Sequence, residues 1–288
     1  MDYGTIQKIV TEFNNIKVDI IGRSEDDRDI YSLSAFFDAT RPWVLMHGGI
    51  HAREHLSVDF VVCLAKMIEN NFDKYLHLRS FPNICFVPMV NPDGIEIAFS
   101  GAKNIKNIHL KSKVTQIIAN NNYKMYKSNA NGVDLNNNFD AGWGFHIYSP
   151  KPSMSGYIGV HPFSEKETKA LRDLTLQVKP VFTISYHMKG EEIYWDFFQR
   201  GDNRKKHEKI AKIVSKINQY AIKSTEKTSS GGYKDWCVQT LNIPSLTIEL
   251  GRDKFDHPVP TEEIYDIISK NVGILDKLCD ILEVVKGN

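Results

Sequence analysis

The sequence predicts a single α/β domain built on a central, mostly parallel mixed β-sheet flanked by helices, with its active site at the strand ends. Three observations point there. Short apolar runs of strand length, WVLMH (43–47), ICFVPMV (84–90), VFTISYH (181–187) and SLTIEL (245–250), alternate with helical patterns. No repeat, low-complexity tract or Pro/Gly/Ser-rich linker divides the 288 residues, so 1–288 reads as one domain. The mix of 42% hydrophobic and 25% charged residues is that of a globule able to bury a core without disulfides.

Taken in order, residues 3–15 read as a short amphipathic helix. Strands follow at KVDIIG (17–22) and DIYSLSAFF (29–37), the second with β-branched and aromatic alternation. WVLMH ends at Gly48-Gly49, the pattern of a buried strand meeting a loop. Residues 53–70 are helical, with Leu56, Phe60, Leu64 and Met67 on one face. ICFVPMV is a strand stopped by the turn signal Asn91-Pro92-Asp93-Gly94. Residues 97–163 are rich in Asn, Ser and Gly and mostly irregular, with one helix near 112–127. So long an irregular stretch inside a globule points to function. Ser164 and Glu167 have capping-box spacing at the start of the next helix. VFTISYH and EEIYWDFF (191–198) are strands, 203–221 and 233–241 helices, SLTIEL a strand and 261–283 a closing helix. In such sheets chemistry sits just past the strand ends.

Lys and Arg total 36 against 35 Asp and Glu, a net charge of +1, which argues against nucleic-acid binding. The four cysteines form no C-x-x-C pair, so a cysteine zinc site is not expected. The first residues lack a basic region followed by an apolar one, and no apolar run reaches the roughly 18–20 residues of a membrane span. A soluble, cytoplasmic protein is expected, with the spore compartment as an alternative in a sporulating host.

The densest cluster of chemically competent side chains is HGGIHAREH (47–55), holding His47, His51, Glu54 and His55. H-x-x-E spacing lets an imidazole and a carboxylate converge on a metal. Alone it carries little weight in a chain with ten histidines. The string also spells H-x-x-E-H, a zinc motif of inverzincins, with His51 and His55 as ligands. That motif must lie within a helix and needs a third acidic ligand on a later one, yet Gly48 and Gly49 precede it and no Glu occurs in 97–164. His187 closes a buried strand; alone it could simply hydrogen-bond a loop. Glu249 ends another apolar strand, where a carboxylate needs a partner or a cation, and Arg252 is one candidate.

Read together, GGIHARE (48–54), NPDG (91–94), GVDLNNNF (132–139), SYH (185–187), SSGGYKDW (229–236) and TIELG (247–251) resemble the zinc carboxypeptidases, the carboxypeptidase A-like metallopeptidases. The resemblance runs from IGRSEDDRDIYSL to the final helix. It implies that His51, Glu54 and His187 bind one zinc ion, with water in the fourth position. It makes Glu249 the general base that takes a proton from that water and delivers it to the leaving amine.

Several positions depart from the carboxypeptidase pattern. Asn136 keeps a family Asn, but Asn137 stands where carboxypeptidases carry an Arg that clamps the substrate's terminal α-carboxylate; Asn cannot form that bidentate pair. Lys127 aligns loosely with an Arg that steadies the oxyanion, and Lys227 with a mobile Tyr. Lys234 occupies the specificity position and implies an acidic group in the substrate. Arg53 matches a family Arg able to bind a carboxylate or a carbonyl oxygen. Each lysine could equally be a solvated surface residue. With YHMKGEEIYW and SGGYKDW, these departures resemble the γ-D-glutamyl-meso-diaminopimelate peptidases, which cut peptidoglycan stem peptides. The expected substrate is therefore a murein peptide. An ordinary carboxypeptidase, and a murein-peptide sensor that no longer turns over, are the alternatives; Asn137 speaks against the first and the intact ligand set against the second.

Overall fold

The computed structural model describes residues 1–146, 148–224 and 230–287. Its strands are β1 (Lys17–Arg23), β2 (Asp29–Ala35), β3 (Trp43–His47), β4 (Asn83–Val87), β5 (Phe182–Met188), β6 (Glu192–Tyr194), β7 (Ala221–Lys223) and β8 (Ser245–Leu250). They form one eight-stranded sheet in the order β1-β2-β4-β3-β5-β8-β6-β7. The pairings β4-β3, β3-β5, β5-β8 and β6-β7 are parallel and the other three antiparallel, so the sheet is mixed with a parallel centre. Every residue of β4 and β5 is buried, as near-continuous apolar runs require when both sheet faces are covered.

The helices are α1 (Tyr3–Ile9), α2 (His55–Asn70), α3 (Phe72–His77), α4 (Pro92–Ser100), α5 (Ile108–Ile118), α6 (Lys166–Val178), α7 (Gly201–Asn218), α8 (Tyr233–Gln239), α9 (Glu263–Asn271), α10 (Gly273–Asp276) and α11 (Leu278–Lys286). Strand alternation divides the core between two faces. Val44 and Met46 of β3 join Leu56, Phe60 and Leu64 of α2, Val214 of α7 and Ile281 of α11 on one face. Leu45 of the same strand joins Leu171 of α6 and Trp236 of α8 on the other. Helices thus cover both faces and leave the strand ends open.

Local differences from the sequence reading have specific causes. Asn91-Pro92-Asp93-Gly94 starts a helix rather than only ending a strand: the Asn91 side chain accepts the Gly94 N–H at 2.9 Å and Pro92 occupies the first turn of α4. The Ser164–Glu167 capping box does not form. Glu165 precedes α6, Ser164 Oγ donates to its carboxylate at 2.6 Å, and Glu167 is buried beside Asn129. The helix expected near 112–127 is α5, ending at Ile118, followed by a single 3-10 turn at Tyr123–Met125. The first helix ends at Ile9 and runs into a 3-10 turn at Val10–Glu12, and the 191–198 strand shrinks to β6. The 203–221 helix stops at Asn218, where Gln219 takes the left-handed conformation and the chain turns into β7. The closing helix is broken into α9, α10 and α11. At the first break Asn271 is buried and donates to Tyr220 Oη at 2.9 Å while accepting from Asn218 Nδ2 at 3.0 Å.

Candidate active site

The loop after β3 is folded back against the end of the sheet. Gly49 adopts φ +62°, and a Cβ there would lie 2.6 Å from Val58 Cγ2, so this turn needs glycine. Its N–H donates to Ser57 Oγ at 2.9 Å and its carbonyl accepts from Asn91 N at 2.9 Å. The loop therefore presents His51 and Glu54 above the parallel strands. Helix α2 begins only at His55, so the H-x-x-E segment is loop rather than helix. From the neighbouring strands, His187 of β5 and Glu249 of β8 stand side by side in register.

His51, Glu54 and His187 are all buried and form a group that could hold a metal ion. His51 Nδ1 lies 2.8 Å from Glu54 Oε1 and 3.1 Å from His187 Nδ1, and His187 Nδ1 lies 3.3 Å from Glu54 Oε2. Glu54 Oε2 also accepts the Met188 N–H at 3.1 Å. Two ring nitrogens and a carboxylate converging out of water are a donor set suited to zinc. Against the cost of burial, His51 and His187 hold the Glu54 carboxyl well below the usual carboxylate range, so it is ready to coordinate.

Asp134 supports this group and was not singled out from the sequence, although it lies inside the quoted GVDLNNNF. Its Oδ1 is 3.3 Å from His51 Nε2, and its Oδ2 is 3.0 Å from Lys127 Nζ and accepts Gly156 N at 3.1 Å. A carboxylate on the far ring nitrogen turns the other toward the metal position. Burial would raise the Asp134 carboxyl, but Lys127 and His51 hold it well below its usual range. In return, against burial, Asp134 and Glu54 keep the Lys127 ammonium charged.

A cleft of about 280 Å³ opens beside the group and is lined by His51, Lys127, Asn136, Asn137, Tyr194, Lys234, Thr247 and Glu249, among others. Five residues singled out from the sequence besides the histidine thus share one cavity. Burial pushes the Glu249 carboxyl up to about 7, against the pull of His187 and Lys127. Asn136 Oδ1 accepts the Tyr233 N–H at 3.1 Å and pins α8 to the cleft. Gly231, at φ +78°, passes so close to Asn137 that a Cβ would lie 2.7 Å from its carbonyl oxygen. Lys234 is buried in the cleft wall, donates to the Asp196 carbonyl at 2.6 Å and pairs with Asp235 at 2.5 Å. Tyr194 was missed; its register opposite Thr247, two residues before Glu249, was the available signal.

Other residues of the sequence cluster lie elsewhere. His47 is buried, bonded to Ser185 Oγ at 2.8 Å and packed edge-on against Tyr233. His55 faces Phe99, outside the metal group, which corrects the H-x-x-E-H possibility. Glu249 makes no pair with Arg252, which instead grips Glu263. Arg53 lines a separate cavity. Lys227 and Ser229 lie outside the described residues.

The fold and this constellation define a zinc metallopeptidase. Residues 3–272 match the zinc carboxypeptidase family, and the chain belongs to it; the family uses one zinc ion and acts on peptides. It is similar to the Bacillus subtilis (strain 168) protein YqgT, 26% identical over 282 residues, covering 94% of this chain and 73% of that one. It is also similar to γ-D-glutamyl-L-diamino acid endopeptidase 1 of Lysinibacillus sphaericus, 34% identical over 197 residues, covering 66% of this chain and 47% of the endopeptidase. The chain thus spans about half the length of that relative. Among solved structures, carboxypeptidase A of Helicoverpa armigera superposes with a TM-score of 0.75 at 20% identity, covering 100% of this chain and 74% of the other, and shares the fold. Among the described residues, no helix is long and apolar enough to cross a membrane.

Proposed function

We propose that the chain hydrolyses the γ-D-glutamyl–diaminopimelate bond of peptidoglycan stem peptides. The observation that carries the reading is the cleft itself. Where carboxypeptidases place an arginine to clamp a terminal α-carboxylate, Asn137 lines the wall, and the cations in the same cleft are Lys127 and Lys234. A cleft without the arginine fork but with two ammonium groups favours a peptide whose carboxylates lie away from an ordinary C-terminus. The 34% identity to a protein named as a γ-D-glutamyl-L-diamino acid endopeptidase supports the same substrate class.

In this reading His51, Glu54 and His187 hold the zinc, which when bound acidifies a water molecule and polarises the scissile carbonyl. Glu249 accepts the water's proton and passes it to the leaving amine. A carboxyl raised toward neutrality by burial is matched to both halves of that transfer near pH 7. Lys127, kept charged by Asp134, faces the charge that develops on the carbonyl oxygen. Asn136 and Asn137 contact the leaving side of the substrate. Lys234 meets a carboxylate of the diamino acid, which competes with Asp235 for the ammonium. The test is mass spectrometry of the products from a defined L-Ala-γ-D-Glu–diaminopimelate peptide, with and without chelator. Release of free diaminopimelate that stops on zinc removal is the expected result; an intact peptide with zinc-loaded protein overturns the proposal.

A further inference from the structure

We infer that Tyr194, held by Glu192, is the acceptor that recognises the side-chain ammonium of the diamino acid in the leaving-group cleft. The inference rests on the function proposed above. Tyr194 lines the same cavity as Lys234 and Glu249, and in β6 it lies directly opposite Thr247, two residues before Glu249 in β8. Glu192 lies opposite Glu249 in the same antiparallel pair. Residues two apart on a strand share a face, and so do residues directly opposite across a pair, so Glu192 stands with Tyr194 on the cleft side of β6. Tyr194 Oη donates to Glu192 Oε2 at 2.6 Å. The other carboxylate oxygen, Oε1, pairs with Lys223 Nζ at 3.3 Å, and that lysine is 48% exposed, so water weakens its hold.

A phenol has one proton to give. Tyr194 gives it to Glu192, so toward the cleft its oxygen accepts a hydrogen bond and does not donate one. The charge of this wall points the same way: Glu192 and Glu249 face each other across β6 and β8, so the wall repels a carboxylate and attracts a cation. The diamino acid side chain ends in a carbon that bears both an ammonium and a carboxylate. Lys234, on α8, suits the carboxylate. The ammonium that enters with it needs an acceptor, since a charge taken out of water without a partner is costly. Of the carboxylates lining the cavity, Glu249 is assigned to the water and Asp235 pairs with Lys234 at 2.5 Å. That leaves the Tyr194–Glu192 pair, among the described residues, as the charged acceptor for a cation in this cleft. Glu192 acts through Tyr194, as a positioning residue.

The experiment compares kcat/KM on three L-Ala-γ-D-Glu peptides that differ in the last residue: diaminopimelate, 2-aminopimelate, which lacks the side-chain ammonium, and lysine, which lacks the side-chain carboxylate. Ratios measured on one preparation are independent of zinc loading and of the fraction folded. Wild type should favour diaminopimelate over 2-aminopimelate by about ten- to a hundredfold, the range for losing a hydrogen bond to a charged group. Tyr194→Phe should bring that ratio close to one, and Glu192→Gln, which keeps an acceptor for the hydroxyl but removes the charge, should lower it by a smaller factor. The ratio of diaminopimelate to lysine, which reads the carboxylate alone, should stay at its wild-type value in Tyr194→Phe. Equal wild-type rates on diaminopimelate and 2-aminopimelate overturn the role of Tyr194 and leave the proposed function standing. A preference that survives Tyr194→Phe also overturns it, and so does a variant in which both ratios fall together, which marks general damage to the cleft. Cleavage of none of the peptides by zinc-loaded wild type overturns the proposed function and the inference together.

Discussion

Replacing Asp134 by Asn tests how far the zinc group depends on its supporting carboxylate. The side chain is 1% exposed; its Oδ1 lies 3.3 Å from His51 Nε2, while its Oδ2 takes Lys127 Nζ at 3.0 Å and the Gly156 N–H at 3.1 Å. An amide keeps the size but presents one acceptor oxygen; the two donors on the Oδ2 side claim it, so the contact to His51 is the one lost. Loss of a hydrogen bond to a charged group costs about 1.5–3 kcal/mol. At about 1.4 kcal/mol per decade, zinc should bind roughly ten- to a hundredfold more weakly, the usual range for removing such a support. Lys127 meanwhile loses the neighbour that does most to keep it charged, so turnover should fall beyond what zinc loss explains. Zinc affinity is read by competition with a chromophoric chelator at neutral pH, and turnover at saturating zinc. An affinity indistinguishable from wild type would refute the claim that Asp134 orients His51.

Three other outcomes follow from the same geometry. His187→Ala removes one of the two converging nitrogens, and elemental analysis should find no stoichiometric zinc; full retention would contradict the ligand assignment. Glu249→Gln should keep zinc while turnover falls by about 10²–10⁴-fold, the scale of general-base catalysis, and near-normal turnover would point to another base. Glu167→Gln should stabilise the fold. Burial, helped by Asp93, Glu25 and Glu165, pushes the Glu167 carboxyl well above its ordinary range. Its folded pKa thus exceeds the unfolded value of about 4.3. The contribution of this group is full below that pH and is lost as pH rises toward the folded pKa. The neutral isostere should melt higher near neutral pH, by about 2–4 °C for each kcal/mol regained. The gap should close on acidification; a variant that melts lower near neutrality refutes the sign.

What the sequence disclosed was set by pattern strength. WVLMH, VFTISYH and SLTIEL lie where they were expected because central strands covered on both faces leave mostly apolar runs. VFTISYH carries His187 near its end and SLTIEL carries Glu249, and the loop after WVLMH carries His51 and Glu54, so these candidate site residues could be singled out from the same segments. The three-residue strands β6 and β7 were not: β7 carries no period and follows directly on a helical pattern. Helix α4 was hidden behind its own cap, since Asn-Pro-Asp-Gly reads as a turn until the Asn91 side chain is seen to close the first turn. Asp134 was invisible because an acid in an Asn-rich irregular stretch has no periodicity to mark it; only the fold brings it to His51. The pairing of Lys234 with Asp235, its own neighbour in sequence, also needed coordinates.

The central claim is that this member of the zinc carboxypeptidase family has exchanged recognition of a terminal α-carboxylate for recognition of a murein peptide. The most direct measurement is kcat/KM of the zinc-loaded wild type on L-Ala-γ-D-Glu–diaminopimelate against a blocked dipeptide ending in Phe. With Asn137 in the cleft, the murein peptide should be preferred by at least about tenfold, the lower end of what losing a charge-assisted carboxylate contact costs. Preference for the Phe substrate would contradict the claim and return the chain to the ordinary carboxypeptidases of its family.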